Sequence, residues 1–214
     1  MTSFPSDLVE GYRAFRRTAY AAEAERYRKL AEGGQTPRTL VIACSDSRVD
    51  PSRIFNAGPG ELFVVRNVAN LVPPCEEGGG YHGTSAAIEF AVKGLQVSRI
   101  LVMGHGRCGG IRAFLEDAGS DKPARTFIEK WISLLGPAYE TLLEHGLPDD
   151  PEARQTLMEH IAVAQSITNL TTFPFIEQAV TDGRLELIGG FFDIYSGRLQ
   201  QLDRATGRFE PIGT

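Results

Sequence analysis

Cysteine, methionine and tryptophan are scarce: 3, 3 and 1 among 214 residues. Three cysteines (Cys44, Cys75 and Cys108) are too few, and odd in number, to staple a secreted fold. A reducing, cytoplasmic setting is expected instead, where cysteines are buried, catalytic or metal-bound. Positive charge is also short, since 22 Lys and Arg face 27 Asp and Glu for a net charge of −5. Phosphate-backbone binding needs clustered basic residues, so neither nucleic acid nor a membrane surface is expected as a partner. No apolar run approaches the roughly eighteen residues of a membrane span. The N-terminus shows no apolar h-region, so no signal peptide is expected. What is present is an ordinary globular balance, 42% hydrophobic and 23% charged, in a chain long enough to bury a core without disulfides.

The pattern along the chain alternates strand and helix. Apolar, β-branched runs predict strands at 39–44, 61–66 and 99–104, the last unbroken as in a strand buried on both faces. Helical spacing covers 7–31, 85–95 and 109–118, with Gly33-Gly34 ending the first. Thr126-Phe127-Ile128-Glu129 is a capping box opening a helix through Trp131, Leu134 and Leu135. Asp150-Pro151 supplies an N-cap and a first-turn proline for a long helix over about 151–170. Phe173-Pro174-Phe175 reads as an interruption, 185–194 as another strand, and Ser196-Gly197 as a turn from which 198–202 pairs back. The fold class is α/β, a mostly parallel central sheet flanked by helices. It has an N-terminal helical arm (1–34), one α/β domain (35–214) and a C-terminal helical and hairpin extension. The arm packs either on a neighbouring subunit or on its own domain.

Two segments carry chemistry. Cys44-Ser45-Asp46-Ser47-Arg48 ends the first strand, and His105-Gly106-Arg107-Cys108 follows the third. Ligands of open α/β sheets bind outside the carboxyl ends of the strands, so the two segments are expected near each other. Two thiolates and an imidazole form a zinc ligand set, and a catalytic zinc site keeps a fourth position open. Asp46 can reach the metal or its water, and Arg48 can grip a carboxylate with a bidentate fork.

These motifs, with Pro59-Gly60-Glu61-Leu62-Phe63-Val64-Val65-Arg66-Asn67-Val68-Ala69-Asn70, resemble the β-class carbonic anhydrases over nearly the whole chain. The resemblance implies a zinc lyase that hydrates carbon dioxide to bicarbonate, with one zinc per subunit on Cys44, His105 and Cys108. It implies that zinc-bound hydroxide attacks, oriented by the catalytic pair Asp46 and Arg48. It further implies a substrate pocket lined by Gln35, Phe63, Val68, Phe90 and Gly109, part of it from a partner subunit, hence a homodimer or larger homo-oligomer. Asp46 is expected on Arg48 rather than on the metal. Plant-like members often carry Tyr at the position of Phe90. The Trp, Arg and Tyr of a regulatory bicarbonate site match Val41, Arg66 and Phe192, so that regulation is not expected. Thiolate ligands make the bound water a weaker acid than imidazoles would, so activity should rise through mildly alkaline pH. Rival readings are a zinc-thiolate sensor without catalysis and a hydrolase of another small cumulene such as CS2.

Other features have plainer readings. Gly104-His105-Gly106-Arg107-Cys108-Gly109 fits G-x-G-x-x-G, but a dinucleotide site also needs a second strand ending in an acid about twenty residues on. Cys75 reads as incidental. His82, in the glycine-rich loop 78–83, reads as solvent-facing, with a proton shuttle as the alternative. His145 and His160 read as surface or capping residues, and Arg16-Arg17 as a solvated helix face.

Overall fold

The computed structural model describes residues 4–76, 82–118 and 126–213. Residues 78–81 of the glycine-rich loop, and residues 121–125 ahead of the capping box, lie outside them. Among the described residues, β1 (Thr39–Cys44), β2 (Leu62–Asn67), β3 (Arg99–His105), β4 (Glu186–Asp193), β5 (Arg198–Asp203) and β6 (Arg208–Pro211) form one sheet. Its order is β2-β1-β3-β4-β5-β6. The first four strands pair in parallel, and β5 and β6 are added by antiparallel pairing of β5 with β4 and of β6 with β5. Leu40, Ile42, Ile100 and Val102 face one core, while Val41, Ala43 and Met103 face the other. This two-sided burial explains why these runs are continuously apolar.

The first core is roofed by α4 (Gly83–Glu89), which passes into a π-helical turn at Phe90–Gly94, and by α8 (Pro151–Leu170) and α9 (Pro174–Thr181). The close seat of α8 has a specific cause. A Cβ on Gly104 of β3 would stand 2.5 Å from Val163 Cγ2, and one on Gly189 of β4 3.2 Å from Val163 Cγ1. The bare backbone at these two glycines is the depression into which Val163 fits. Asp150 caps α8 by accepting from the Glu152 and Ala153 amides, and Pro151 follows at the first helical position as expected. The Thr126–Glu129 capping box opens α6 (Phe127–Ile132), also as expected. A 3-10 turn and α7 (Gly136–His145) follow.

Three expectations need correction. The helix predicted over 7–31 is two helices, α1 (Ser6–Arg17) and α2 (Ala19–Gly33), broken at Thr18 with φ −111° and ψ −89°. In a straight helix Phe15 and Tyr27 would lie about 18 Å apart along the axis. The break brings their ring centroids to 6.2 Å, with Tyr20 between them. Phe173-Pro174-Phe175 lies at the break after α8, as expected, but it also starts a helix the pattern did not show, α9, because a first-turn proline gives up only an amide that has no helical partner. His160 is not a surface residue. Its ring lies 4.3 Å from both Phe191 and Phe209, and its Nε2 is buried without a partner. Phe209 belongs to β6, whose single apolar side chain gives no strand signal in the sequence. The His145 side chain lies outside the described structure.

Burial pushes the His160 pKa down from 6.5 to about 4. The unfolded chain therefore takes up a proton, as pH falls through 6.5, that the folded chain refuses until about 4. Stability should drop across that window by about 3 kcal/mol. Urea denaturation of His160→Phe between pH 7 and 4 checks this. The variant should lose part of the wild-type acid sensitivity, and parallel curves would remove His160 from the account.

The arm divides in two. Within α2, Leu30 lies against Gly60, and Arg26 pairs with Glu61 at 2.8 Å, tying this helix to the turn before β2. Neither helix buries a whole residue, but the apolar side chains of α1 and the segment before it are the more open: Phe4, Leu8 and Tyr12 are 71%, 55% and 58% exposed. No described helix is long and apolar enough to cross a membrane.

Candidate metal centre

β1 and β3 are adjacent and parallel, so their carboxyl ends put Cys44 and His105 side by side. His105 is the last residue of β3 rather than the first beyond it. Cys108 is the N-cap of α5 (Gly109–Asp117). The donor atoms of Cys44, His105 and Cys108 all lie within 4.8 Å of one another, and all three residues are buried. The imidazole is oriented for coordination. Its Nδ1 lies 2.9 Å from the Gly106 carbonyl, which fixes the proton there, and its Nε2 is buried without any partner. A buried lone pair facing two thiols fits a soft divalent cation such as zinc.

The electrostatics favour a thiolate. The Cys108 thiol donates to Cys44 and pulls the Cys44 pKa down, against the effect of burial. His105 and the amides of Asp46 and Ala69 help. Cys108 is pushed the other way by the neighbouring Cys44 charge and by burial, although the Gly110 and Ile111 amides at the start of α5 favour its thiolate. Burial works against a charged His105, but the neighbouring Cys44 outweighs it and raises its pKa. A metal dication supplies the second positive charge that lets both sulfurs ionise. One of these donors, the Ala69 amide, sits on strained backbone, with Ala69 at φ 64° and the following Asn70 at φ 49°.

Beside the triangle, Arg48 grips Asp46. Its Nε donates to Oδ1 at 2.9 Å and its Nη2 to Oδ2 at 2.7 Å, and the Arg48 amide adds a third bond at 2.9 Å. Arg48 thereby holds the Asp46 carboxyl well below the usual carboxylate range. Arg66, matched in the sequence to a regulatory position, instead donates to the carbonyls of Cys44 (2.9 Å) and Asp46 (2.6 Å) and braces the first loop. Arg107 turns outward, with its guanidinium 2.6 Å from Glu152 and 5.7 Å from the Tyr195 ring centroid.

The five lining residues divide. Val68 and Gly109 stand with the triangle. Val68 follows Asn67, the register partner of Cys44, and a Cβ on Gly109 would meet only open space. Phe63 and Phe90 pack on each other at 5.8 Å, but Phe63 pairs with Leu40, four residues before Cys44 on β1. At about 3.3 Å per residue that is roughly 13 Å from the cysteine. Gln35 is exposed and precedes β1 at the opposite end of the sheet. One chain does not bring these three to its own metal centre. His82 is exposed, and Cys75 is an exposed free thiol. The dinucleotide pattern fails, since among the described residues β3 is followed by five α-helices before the next strand begins at Glu186. Sequence reasoning passes over Arg66 as a brace, and over Gln155 and Glu159, which reach Cys108 from α8. As an i, i+4 pair on a polar stretch they carry no distinguishing signal.

The carbonic anhydrase family profile matches residues 39–199. The chain is 40% identical over 191 residues to beta carbonic anhydrase 5, chloroplastic, of Arabidopsis thaliana, covering 87% of this chain and 61% of that protein. It thus spans about three fifths of that relative's length. Among solved structures, the β-carbonic anhydrase CcaA superposes with a TM-score of 0.86 at 29% identity, over 97% of this chain and 92% of that one. Tetrameric β-carbonic anhydrases of the ascomycete Sordaria macrospora give a TM-score of 0.79 at 33% identity, over 92% and 95%. The chain belongs to the β-class carbonic anhydrase family.

Proposed function

We propose that the protein is a zinc-dependent carbonic anhydrase interconverting carbon dioxide and bicarbonate. The observation that carries this reading is the Cys44–His105–Cys108 triangle, with its unpartnered His105 Nε2, beside an Asp46 already gripped by Arg48. Cys44, His105 and Cys108 would hold one zinc per subunit, which when bound acidifies a water and so supplies the nucleophile. Asp46 stays anionic at working pH, and each of its oxygens can accept a further hydrogen bond. It therefore selects a reacting oxygen that carries a proton, such as the hydroxyl of bicarbonate. Arg48 fixes the direction of that acceptor. Val68 and Gly109 give the carbon dioxide an apolar, open approach.

The positions of Gln35, Phe63 and Phe90 support a homodimer or larger homo-oligomer in which a second copy completes the pocket. So do the bare apolar face of α1 and the tetrameric state named for the Sordaria relatives. A sensor needs exposed, exchangeable thiols, whereas Cys44 and Cys108 are 5% and 1% exposed. Stopped-flow hydration of carbon dioxide, with zinc counted and mass measured by light scattering, tests the whole reading. Metal-free protein, or a rate no faster than buffer, would end it.

Asp46→Asn should lower kcat/KM on the order of 10²-fold, because a misdirected acceptor no longer orients the reacting oxygen. Its zinc content should stay at the wild-type level. Unchanged kinetics would remove Asp46 from the mechanism.

A further inference from the structure

We propose that Gln155 and Glu159 of α8 are positioning residues for the metal centre, holding the Cys108 peptide at both its amide and its carbonyl. The Cys108 amide donates to Glu159 Oε1 at 2.8 Å. Gln155 Nε2 donates to the Cys108 carbonyl at 3.2 Å and to Glu159 Oε1 at 2.8 Å. The two side chains and the peptide thus close a small ring around the residue that bears the sulfur. Glu152, one turn earlier on the same stripe, binds the Arg107 guanidinium, and Arg48 donates to the Arg107 carbonyl at 3.2 Å.

The loop needs such holding. Arg107 has φ 59°, the left-handed region that a side chain makes costly, so the turn into Cys108 is not the local preference of the chain. Glu159 is itself an expensive choice. It is 2% exposed, and its Oε2 is buried with no partner. A carboxyl so placed weakens packing rather than strengthening it, which points to a role at the loop it touches. Gly104 makes the reach possible by letting Val163 bring α8 down onto β3. With the peptide fixed, the sulfur stands at its place relative to Cys44 and His105 before any metal arrives. Without the clamp the loop relaxes and the chelate opens.

This inference rests on the reading of Cys44, His105 and Cys108 as metal ligands, and the test separates the two. Zinc release from the purified full-length protein to a chromogenic chelator is followed for wild type, Gln155→Ala, Glu159→Ala and Glu159→Gln. The visible spectrum of each cobalt(II)-substituted protein is recorded alongside. Gln155→Ala and Glu159→Ala should release zinc about 10–100-fold faster and should shift the sulfur-to-cobalt charge-transfer band. Glu159→Gln keeps an oxygen for the Cys108 amide and should stay close to wild type on both measures. Gln155 is only partly buried, so Gln155→Ala carries the test if Glu159→Ala fails to fold. Unchanged release and an unchanged band in a folded alanine variant would overturn the clamp while leaving the metal reading intact. A Glu159→Gln protein as leaky as Glu159→Ala would also overturn it, since charge rather than position would then be responsible. Wild-type protein that holds no stoichiometric zinc would overturn both.

Discussion

Replacing Cys44 with serine should empty the metal centre and reduce carbon dioxide hydration by at least about 10³-fold. The cause is charge. The Cys44 thiolate is favoured by the neighbouring Cys108, by His105 and by the amides of Asp46 and Ala69, which together lower its pKa against the effect of burial. A serine hydroxyl in the same nest does not ionise near neutral pH, so the site would offer one hard neutral oxygen in place of a soft anion. One thiolate cannot neutralise a dication in a pocket this buried, and the metal is left undercompensated. The fold should survive, because Cys44 is a small residue at the end of β1 and its serine replacement keeps nearly the same volume. Zinc content and stopped-flow rates, read against thermal unfolding, check the result. A serine variant with full zinc and a rate within tenfold of wild type would show that the metal lies elsewhere.

Gly104→Ala should be the most damaging glycine-to-alanine change among the described residues. The new Cβ would stand 2.5 Å from Val163 Cγ2, and real carbon atoms do not approach so closely. Neither side can yield easily. Gly104 lies on β3 between β1 and β4, and Val163 is fully buried under the sheet. Overpacking of this kind costs about 1–3 kcal/mol, and the rigid neighbours put this site at about 3 kcal/mol. Urea denaturation should show a lower midpoint with an unchanged slope. Because α8 also carries the clamp on Cys108, the folded fraction should lose zinc faster than wild type. An unchanged midpoint would mean that α8 can slide outward at no cost.

Much of this architecture was legible in the residues, for reasons that can be named. The strands at 39–44 and 99–104 are buried on both faces, so their apolar runs needed no tertiary context. The capping box at Thr126 and the Asp150-Pro151 start are set by local hydrogen bonds. The metal triangle was legible because two strand ends in a parallel sheet converge by topology alone. What was hidden depends on contacts between distant segments. The break at Thr18 is fixed by three rings that meet only once the chain has turned. The short β6 hides because its pairing with β5, not its composition, makes it a strand. His160 hides for the same reason, since one of its two covering rings sits on that strand. Gln155 and Glu159 look like any polar pair on a helix until α8 is laid against the loop.

The two halves of the chelate come from different strands, with α3 (Pro51–Ile54), β2 and α4 threaded between them in the chain. Nothing local brings Cys44 toward His105; the pairing of β1 with β3 must come first. Small domains wound around a metal depend on the ion to fold, but here the order is reversed. The sheet has to be assembled before the three donors meet, so removal of a bound ion should leave a folded apoprotein ready to be recharged.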